Sequence, residues 1–209
     1  MDFIAIDFET ANAKMTPCAV GLIVVENNII VEEFYTLINP RQPFDHYNVK
    51  IHGITESDVK KSPSFANVWE KIEGYFRRYP CVAHNAGYDK KVLELALQRY
   101  RLYNDTPTVY YCTMALYCHN YPDAQSSDLA SVCAALNVPL ENHHNALLDA
   151  RATAQIMVSL YANNENAIFP SFVSGLYLYT QEQEEANLVK SLERAQEARP
   201  RSFFCGRYH

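Results

Sequence analysis

The sequence contains no C-x-x-C pair. Its six cysteines, Cys18, Cys81, Cys112, Cys118, Cys133 and Cys205, are scattered along the chain. That spacing predicts neither a disulfide framework nor a zinc site, and most of the thiols are expected to be buried in a reducing compartment. No apolar run approaches the ~20 residues that a membrane span needs. The first residues, Met1-Asp2-Phe3-Ile4-Ala5-Ile6-Asp7, lack a positive leader and a small-residue cleavage site. They read as the first strand of a folded domain, so a cytoplasmic protein with no membrane association is expected. Positive charge is also short: the formal net charge is −6. A protein that coats nucleic acid by bulk positive charge is thereby disfavoured. Local holding of a polyanion stays open, above all if bound metal ions offset a cluster of carboxylates. There is no internal repeat and no low-complexity stretch.

What is present is apolar material for a continuous core. The 209 residues are 48% hydrophobic and 12% aromatic, which fits one medium domain with an appendage. Phe3–Phe8, Ala19–Val25 and Ile29–Ile38 read as three strands, the last two joined by a turn at Glu26-Asn27-Asn28. Residues 39–61, with Pro40, Pro43 and Gly53, read as a long loop. Ser62-Pro63 predicts an N-cap and first helical position for a helix to about Tyr79. A brief strand at 81–83, a helix from Ala86 to Tyr100 capped by Asn85 and a strand at 108–112 follow. Then come a helix capped by Ser126 or Ser127 and running to Leu136, and a helix from Asn145 to Tyr161. Strands first, then alternation, predicts an α/β domain with a mixed sheet. The domain is expected over residues 1–165, with a partly helical extension at 166–209.

Acids stand where a core is expected. Asp7 and Glu9 share one face of the first strand, about 6–7 Å apart. Asp89 precedes Val92, Leu93, Ala96 and Tyr100 on the apolar stripe of its helix, and Asp149 precedes Ala152, Ile156 and Leu160 in the same way. Singly, each has an ordinary explanation: a solvated strand end, or a first-turn acid favoured by the helix dipole. Together they are harder to dismiss, because an ionised carboxylate buried without a partner costs several kcal/mol. No lysine or arginine occupies a matching core-facing position. The economical solution is that the four acids converge on divalent cations. Oxygen-only ligation favours Mg²⁺ or Mn²⁺ over zinc, and the implied chemistry is two-metal phosphoryl transfer.

Hydrolysis also needs a base. His143 and His144 lie just ahead of Asp149, and a ring of ordinary pKa ~6.5 can serve near neutrality. Neither offset puts a helical histidine on the face of Asp149, so the base is expected in the preceding loop, and spacing alone does not choose between the two. His84, close to Asp89 in sequence, is a candidate to support the site indirectly.

Three segments carry a family resemblance: Ile6-Asp7-Phe8-Glu9-Thr10, Ala83-His84-Asn85-Ala86-Gly87-Tyr88-Asp89 and His144-Asn145-Ala146-Leu147-Leu148-Asp149-Ala150. In this order and spacing the chain resembles the DEDDh 3′→5′ exonucleases. That family includes the proofreading epsilon subunit of bacterial DNA polymerase III, ribonuclease T and oligoribonuclease. Ile51-His52-Gly53-Ile54-Thr55 is similar to a segment of the epsilon-like branch. The resemblance covers about residues 1–160. It implies an RNase H-like fold with a five-stranded mixed sheet flanked by helices. By motif position it implies two Mg²⁺ or Mn²⁺ ions held by Asp7, Glu9, Asp89 and Asp149, with His144 as the base. It excludes the tyrosine-based sister class, because position 145 is Asn145.

The backbone around Phe8 and Thr10 would hold the terminal nucleotide, with Asn85 and Tyr88 as further substrate contacts; Tyr88 reads as either a base-stacking or a core residue. Lys14, Lys50, Lys60 and Lys61 are candidates for the phosphate backbone. The implied substrate is a nucleic acid 3′ end, single-stranded DNA before RNA. A DNA polymerase or a second copy of the chain, met through the extension, is the candidate partner. Competing readings are an oligonucleotide-degrading exoribonuclease, an RNase H-like endonuclease and a non-catalytic binding module.

Overall fold

The computed structural model describes residues 1–102 and 109–162. Strand β1 (Phe3–Thr10) is the centre of a five-stranded sheet. It pairs antiparallel with β2 (Pro17–Glu26), which pairs antiparallel with β3 (Ile29–Leu37). Asn27 and Asn28 make the β2–β3 turn, both with left-handed backbone (φ 53° and 64°), as a tight two-residue hairpin turn requires. On its other edge β1 runs parallel to β4 (Cys81–Ala83), which runs parallel to β5 (Tyr110–Cys112). The order is β3-β2-β1-β4-β5, so the expected mixed α/β sheet is present.

Helices cover the sheet where β1, β2 and β4 are buried on both faces. Phe3, Ala5, Ile23 and Val25 pack beneath Ile156, Met157 and Leu160 of the last described helix, Ala146–Ala162. Alternation sends Ile4 and Ile6 to the opposite face. Seven helices are described: α1 (His46–His52), α2 (Glu56–Val59), α3 (Phe65–Arg78), α4 (Ala86–Tyr100), α5 (Thr113–Asn120), α6 (Leu129–Leu136) and α7 (Ala146–Ala162). α4 lies against β1, β4 and β5, and α3 packs on α4 with the rings of Phe65 and Tyr100 5.9 Å apart.

The structure corrects several local expectations. The supposed loop at 39–61 contains α1 and α2. α1 buries none of its residues, so it leaves no apolar period in the sequence. α2 is a single turn started by Asp58, which accepts from the Thr55 backbone N–H and hydroxyl. The cap of α3 is Ser64, not Ser62: its hydroxyl accepts from the Asn67 N–H. Asp128, not Ser126 or Ser127, caps α6 by accepting from Ser131. α5 was not anticipated; it follows β5 without an intervening turn. The predicted start of β5 at Thr108 and the extension at 166–209 lie outside the described residues.

Candidate active site

The face of β1 that packs beneath α7 continues past Ala5 to Asp7 and Glu9. Asp7 pairs across the sheet with Gly21 of β2. A Cβ on Gly21 would stand 2.1 Å from the Ala146 carbonyl oxygen, so the absent side chain lets the start of α7 rest directly on β2. Asn145 caps that start, its side-chain oxygen accepting from the Leu147 and Leu148 N–H groups. Asp149, in the first turn, is thereby brought to β1. Carboxylate oxygens of Asp7, Glu9 and Asp149 lie within 4.8 Å of one another.

Asp89 arrives from the other side. β4 pairs with β1 only at Ile4 and Ala5, so further along that edge the Phe8 N–H has no strand to bond. The Asp89 carboxylate, in the first turn of α4 and 2% exposed, accepts it at 3.1 Å. Val92, Leu93 and Ala96 of the expected stripe are buried beside it, together with Ala86, while Tyr100 is only half-buried.

Electrostatics make this group costly by itself. Burial, and then the charge of Asp149, pushes the Asp7 carboxyl up to about 8. Burial, then Asp7 and Asp149, pushes Glu9 up to about 9. Asp89 is raised by burial and by Asp7, while its bond from Phe8 opposes the shift. Among the described residues no lysine or arginine forms an ion pair with any of the four. An all-oxygen donor set with no lysine or arginine partner fits a hard divalent cation such as Mg²⁺ or Mn²⁺.

Both candidate histidines meet this cluster. His143 Nδ1 lies 3.0 Å from an Asp149 oxygen, and the His144 backbone N–H donates to the same oxygen at 2.9 Å. The two rings stack with centroids 3.9 Å apart. His144 has left-handed backbone (φ 70°). Burial, and then His143, lowers its pKa, with Asp149 opposing.

A cleft of about 240 Å³ collects these groups. Asp7, Phe8, Glu9, Thr10, Asn85, Tyr88, Asp89, His143, His144 and Asp149 all line it. Lys14, Lys50, Lys60 and Lys61 do not. Asn85 stands at the start of α4 with left-handed backbone (φ 63°), but its side chain makes no capping bond, contrary to expectation. It is exposed at the cleft instead. Tyr88 is 41% exposed and its hydroxyl bonds the Thr10 hydroxyl at 2.9 Å, so it is not a core residue.

His84 is held on both ring nitrogens, 2.9 Å from the Thr113 hydroxyl and 2.9 Å from the Ser127 carbonyl. The carbonyl only accepts, so Nε2 carries the proton and Nδ1 accepts from Thr113. Burial lowers its pKa, consistent with a neutral ring that ties β4 to α5 and to the turn before α6.

The sequence reading missed the α1 wall. Asn48 donates to the Thr10 carbonyl and hydroxyl, His52 Nε2 lies 3.1 Å from the same carbonyl, and Ile51 also lines the cleft. The available signal was Ile51-His52-Gly53, where Gly53 (φ 74°) ends the helix.

The profile of the exonuclease family of the ribonuclease T type matches residues 4–157. The chain is 30% identical over 162 residues to the PolC-type DNA polymerase III of Caldanaerobacter subterraneus, a match covering 76% of this chain and 11% of that protein. It is 30% identical over 159 residues to the PolC-type DNA polymerase III of Thermotoga maritima, covering 75% of this chain and 12% of that protein. The matched segment thus spans about a tenth of these curated relatives.

Among solved structures, exonuclease X in complex with 5′-overhanging duplex DNA superposes with TM-score 0.67 at 24% identity, covering 79% of this chain and 94% of that one. The nuclease domain of 3′hExo, a DEDDh family member bound to rAMP, gives 0.68 at 17%, covering 78% and 92%. E. coli exonuclease I with a dT13 oligonucleotide gives 0.71 at 17%, covering 82% and 43%. These neighbours share the fold implied by the motif resemblance. The family profile spans most of the sequence and every residue of the carboxylate cluster, and the chain belongs to the exonuclease family.

Proposed function

We propose that the chain is a metal-dependent 3′→5′ exonuclease that releases 5′-mononucleotides from DNA. One observation carries this reading: acids from β1 and α7 bring their oxygens within 4.8 Å of one another at the end of a cleft, with two histidines at its rim. Asp7, Glu9 and Asp149 would hold divalent cations, and Asp89 would complete the set while fixing the Phe8 backbone. Such ions would supply charge neutralisation at the phosphodiester and a more acidic water. His144, on a loop free of helical constraint, is placed to accept a proton from the attacking water. Phe8, Thr10, Asn85 and Tyr88 position the terminal nucleotide.

DNA is preferred as substrate because the relatives at 30% identity are DNA polymerases. A neighbour that recognises a histone mRNA stem-loop shares the fold, so RNA is the second reading. We assign residues 1–165 to the catalytic domain and residues 166–209 to an extension that meets a polymerase or a second copy. No described helix is long and apolar enough to cross a membrane, and we place the enzyme in the cytoplasm.

The test is a time course on DNA and RNA strands labelled at either end, with Mg²⁺ or Mn²⁺. Stepwise shortening from the 3′ end, stopped by chelator and absent in Asp7→Ala, is expected. Cleavage of a circular single strand, or no release from any strand, would overturn the assignment.

A further inference from the structure

The carboxylate cluster does not exhaust the ligand chemistry of this cleft. Beside Asp149, in the same cleft, stand two imidazoles, and one donor atom from each of His143, His144 and Asp149 lies within 4.8 Å of the others. Consecutive side chains in extended backbone point to opposite sides. Here they do not, because His144 adopts φ 70°, a left-handed conformation uncommon for a residue with a Cβ. Local strain of that kind persists where surrounding structure demands it and clusters at functional sites. Its result is the ring stack at 3.9 Å, with both histidines exposed at the rim.

We propose that His143, His144 and Asp149 form a zinc site, and that zinc bound there switches the exonuclease off. The donors decide the metal. Two nitrogens and one carboxylate suit Zn²⁺, whereas Mg²⁺ demands oxygen. At bonds of about 2.0–2.1 Å the ligands of a tetrahedral zinc stand roughly 3.4 Å apart. His143 Nδ1 is already 3.0 Å from Asp149, so the cation replaces a hydrogen bond of nearly the same span. The rings must splay from their stack, which exposed side chains can do, and water completes the shell. Binding here withdraws Asp149 from the oxygen cluster and His144 from proton transfer. The inhibitory consequence rests on the function proposed above; the binding itself does not.

The binding experiment uses the full chain without nucleic acid. Zn²⁺ affinity is read by competition with a chelating dye, and Co²⁺ is added separately for its visible absorption. With Mg²⁺ in large excess to occupy the carboxylate cluster, wild type is expected to bind one Zn²⁺ per chain and to give a Co²⁺ band typical of nitrogen ligation. His143→Ala, and His143→Asn as the variant that keeps a polar side chain, should each weaken zinc at least tenfold while still unfolding cooperatively. The double variant Asp7→Asn/Glu9→Gln should retain zinc. Loss of zinc in that double variant, or undiminished zinc in the His143 variants, overturns the proposal.

In the activity arm, Zn²⁺ is titrated into the Mn²⁺-supported reaction and each variant is scaled to its own zinc-free rate. The half-inhibitory zinc concentration should rise at least tenfold in His143→Ala. Equal inhibition of both proteins overturns the switch. If no nucleic acid is degraded, the exonuclease reading fails while the zinc measurement still decides the site.

Discussion

Gly21 and Ala146 meet backbone to backbone: a Cβ on the glycine would lie 2.1 Å from the Ala146 carbonyl oxygen and 2.5 Å from the Leu147 nitrogen. No rotamer relieves a clash with a helix backbone, so Gly21→Ala must lift the start of α7 off β2. Such overpacking costs about 1–3 kcal/mol, readable by denaturant unfolding. It also moves Asp149 away from Asp7 and Glu9, and a misplacement near 1 Å lowers turnover on the order of 100-fold. Wild-type stability together with wild-type turnover in Gly21→Ala would show that this contact does not set the site.

The carboxylate cluster predicts an unusual pH dependence in metal-free protein. Asp7 and Glu9 have ordinary values of 3.8 and 4.5 and folded values of about 8 and about 9. Between those limits the native state binds more protons than the unfolded state, so stability falls as pH rises. The melting temperature of the chelator-treated protein should therefore drop progressively from about pH 5 to pH 9. Asp7→Asn should flatten the slope. Mg²⁺ or Mn²⁺ binds only the folded cluster and should raise the melting temperature most at the alkaline end. A metal-free protein equally stable at both ends of that range would mean the acids are neutralised in some other way.

The sequence reveals β1, β2 and β3, the acids and the cleft motifs because each has a strong local signature. Asp7 and Glu9 alternate on an apolar strand, and Asp89 and Asp149 interrupt apolar helical stripes. α1 has no such signature: none of its residues is buried, and its place is fixed by long-range bonds from Asn48 and His52 to Thr10. Asn85 looks like a helix cap in sequence, but in the fold its backbone is left-handed and its side chain lines the cleft. The contact of Asp89 with Phe8 depends on β4 ending early, which no pattern in β1 discloses.

His144 and its neighbour can be separated by kinetics. Among the described residues no hydrogen bond of the kind that holds His84 fixes the His144 side chain, and its ring is exposed at the rim. His144→Asn should leave stability within about 0.5 kcal/mol of wild type. Loss of a positioned base should lower kcat by 10²–10⁴, an order-of-magnitude range for general-base removal. Undiminished kcat would move the proton-transfer role to another group.

Tyr88 offers two functions that substitution can distinguish. Its hydroxyl bonds Thr10 at 2.9 Å, while Thr10 is also held by Asn48. Tyr88→Phe removes one of the two bonds to the Thr10 hydroxyl and keeps the ring, so about 0.5–1.5 kcal/mol is lost, appearing as a rise in KM with kcat nearly unchanged. Tyr88→Ala also removes the 41%-exposed ring. If a base stacks there, the alanine variant should lose about 1–3 kcal/mol of binding. Equal KM values for Tyr88→Phe and Tyr88→Ala would assign the residue to holding Thr10 alone. A larger rise for alanine would assign the ring to the nucleobase.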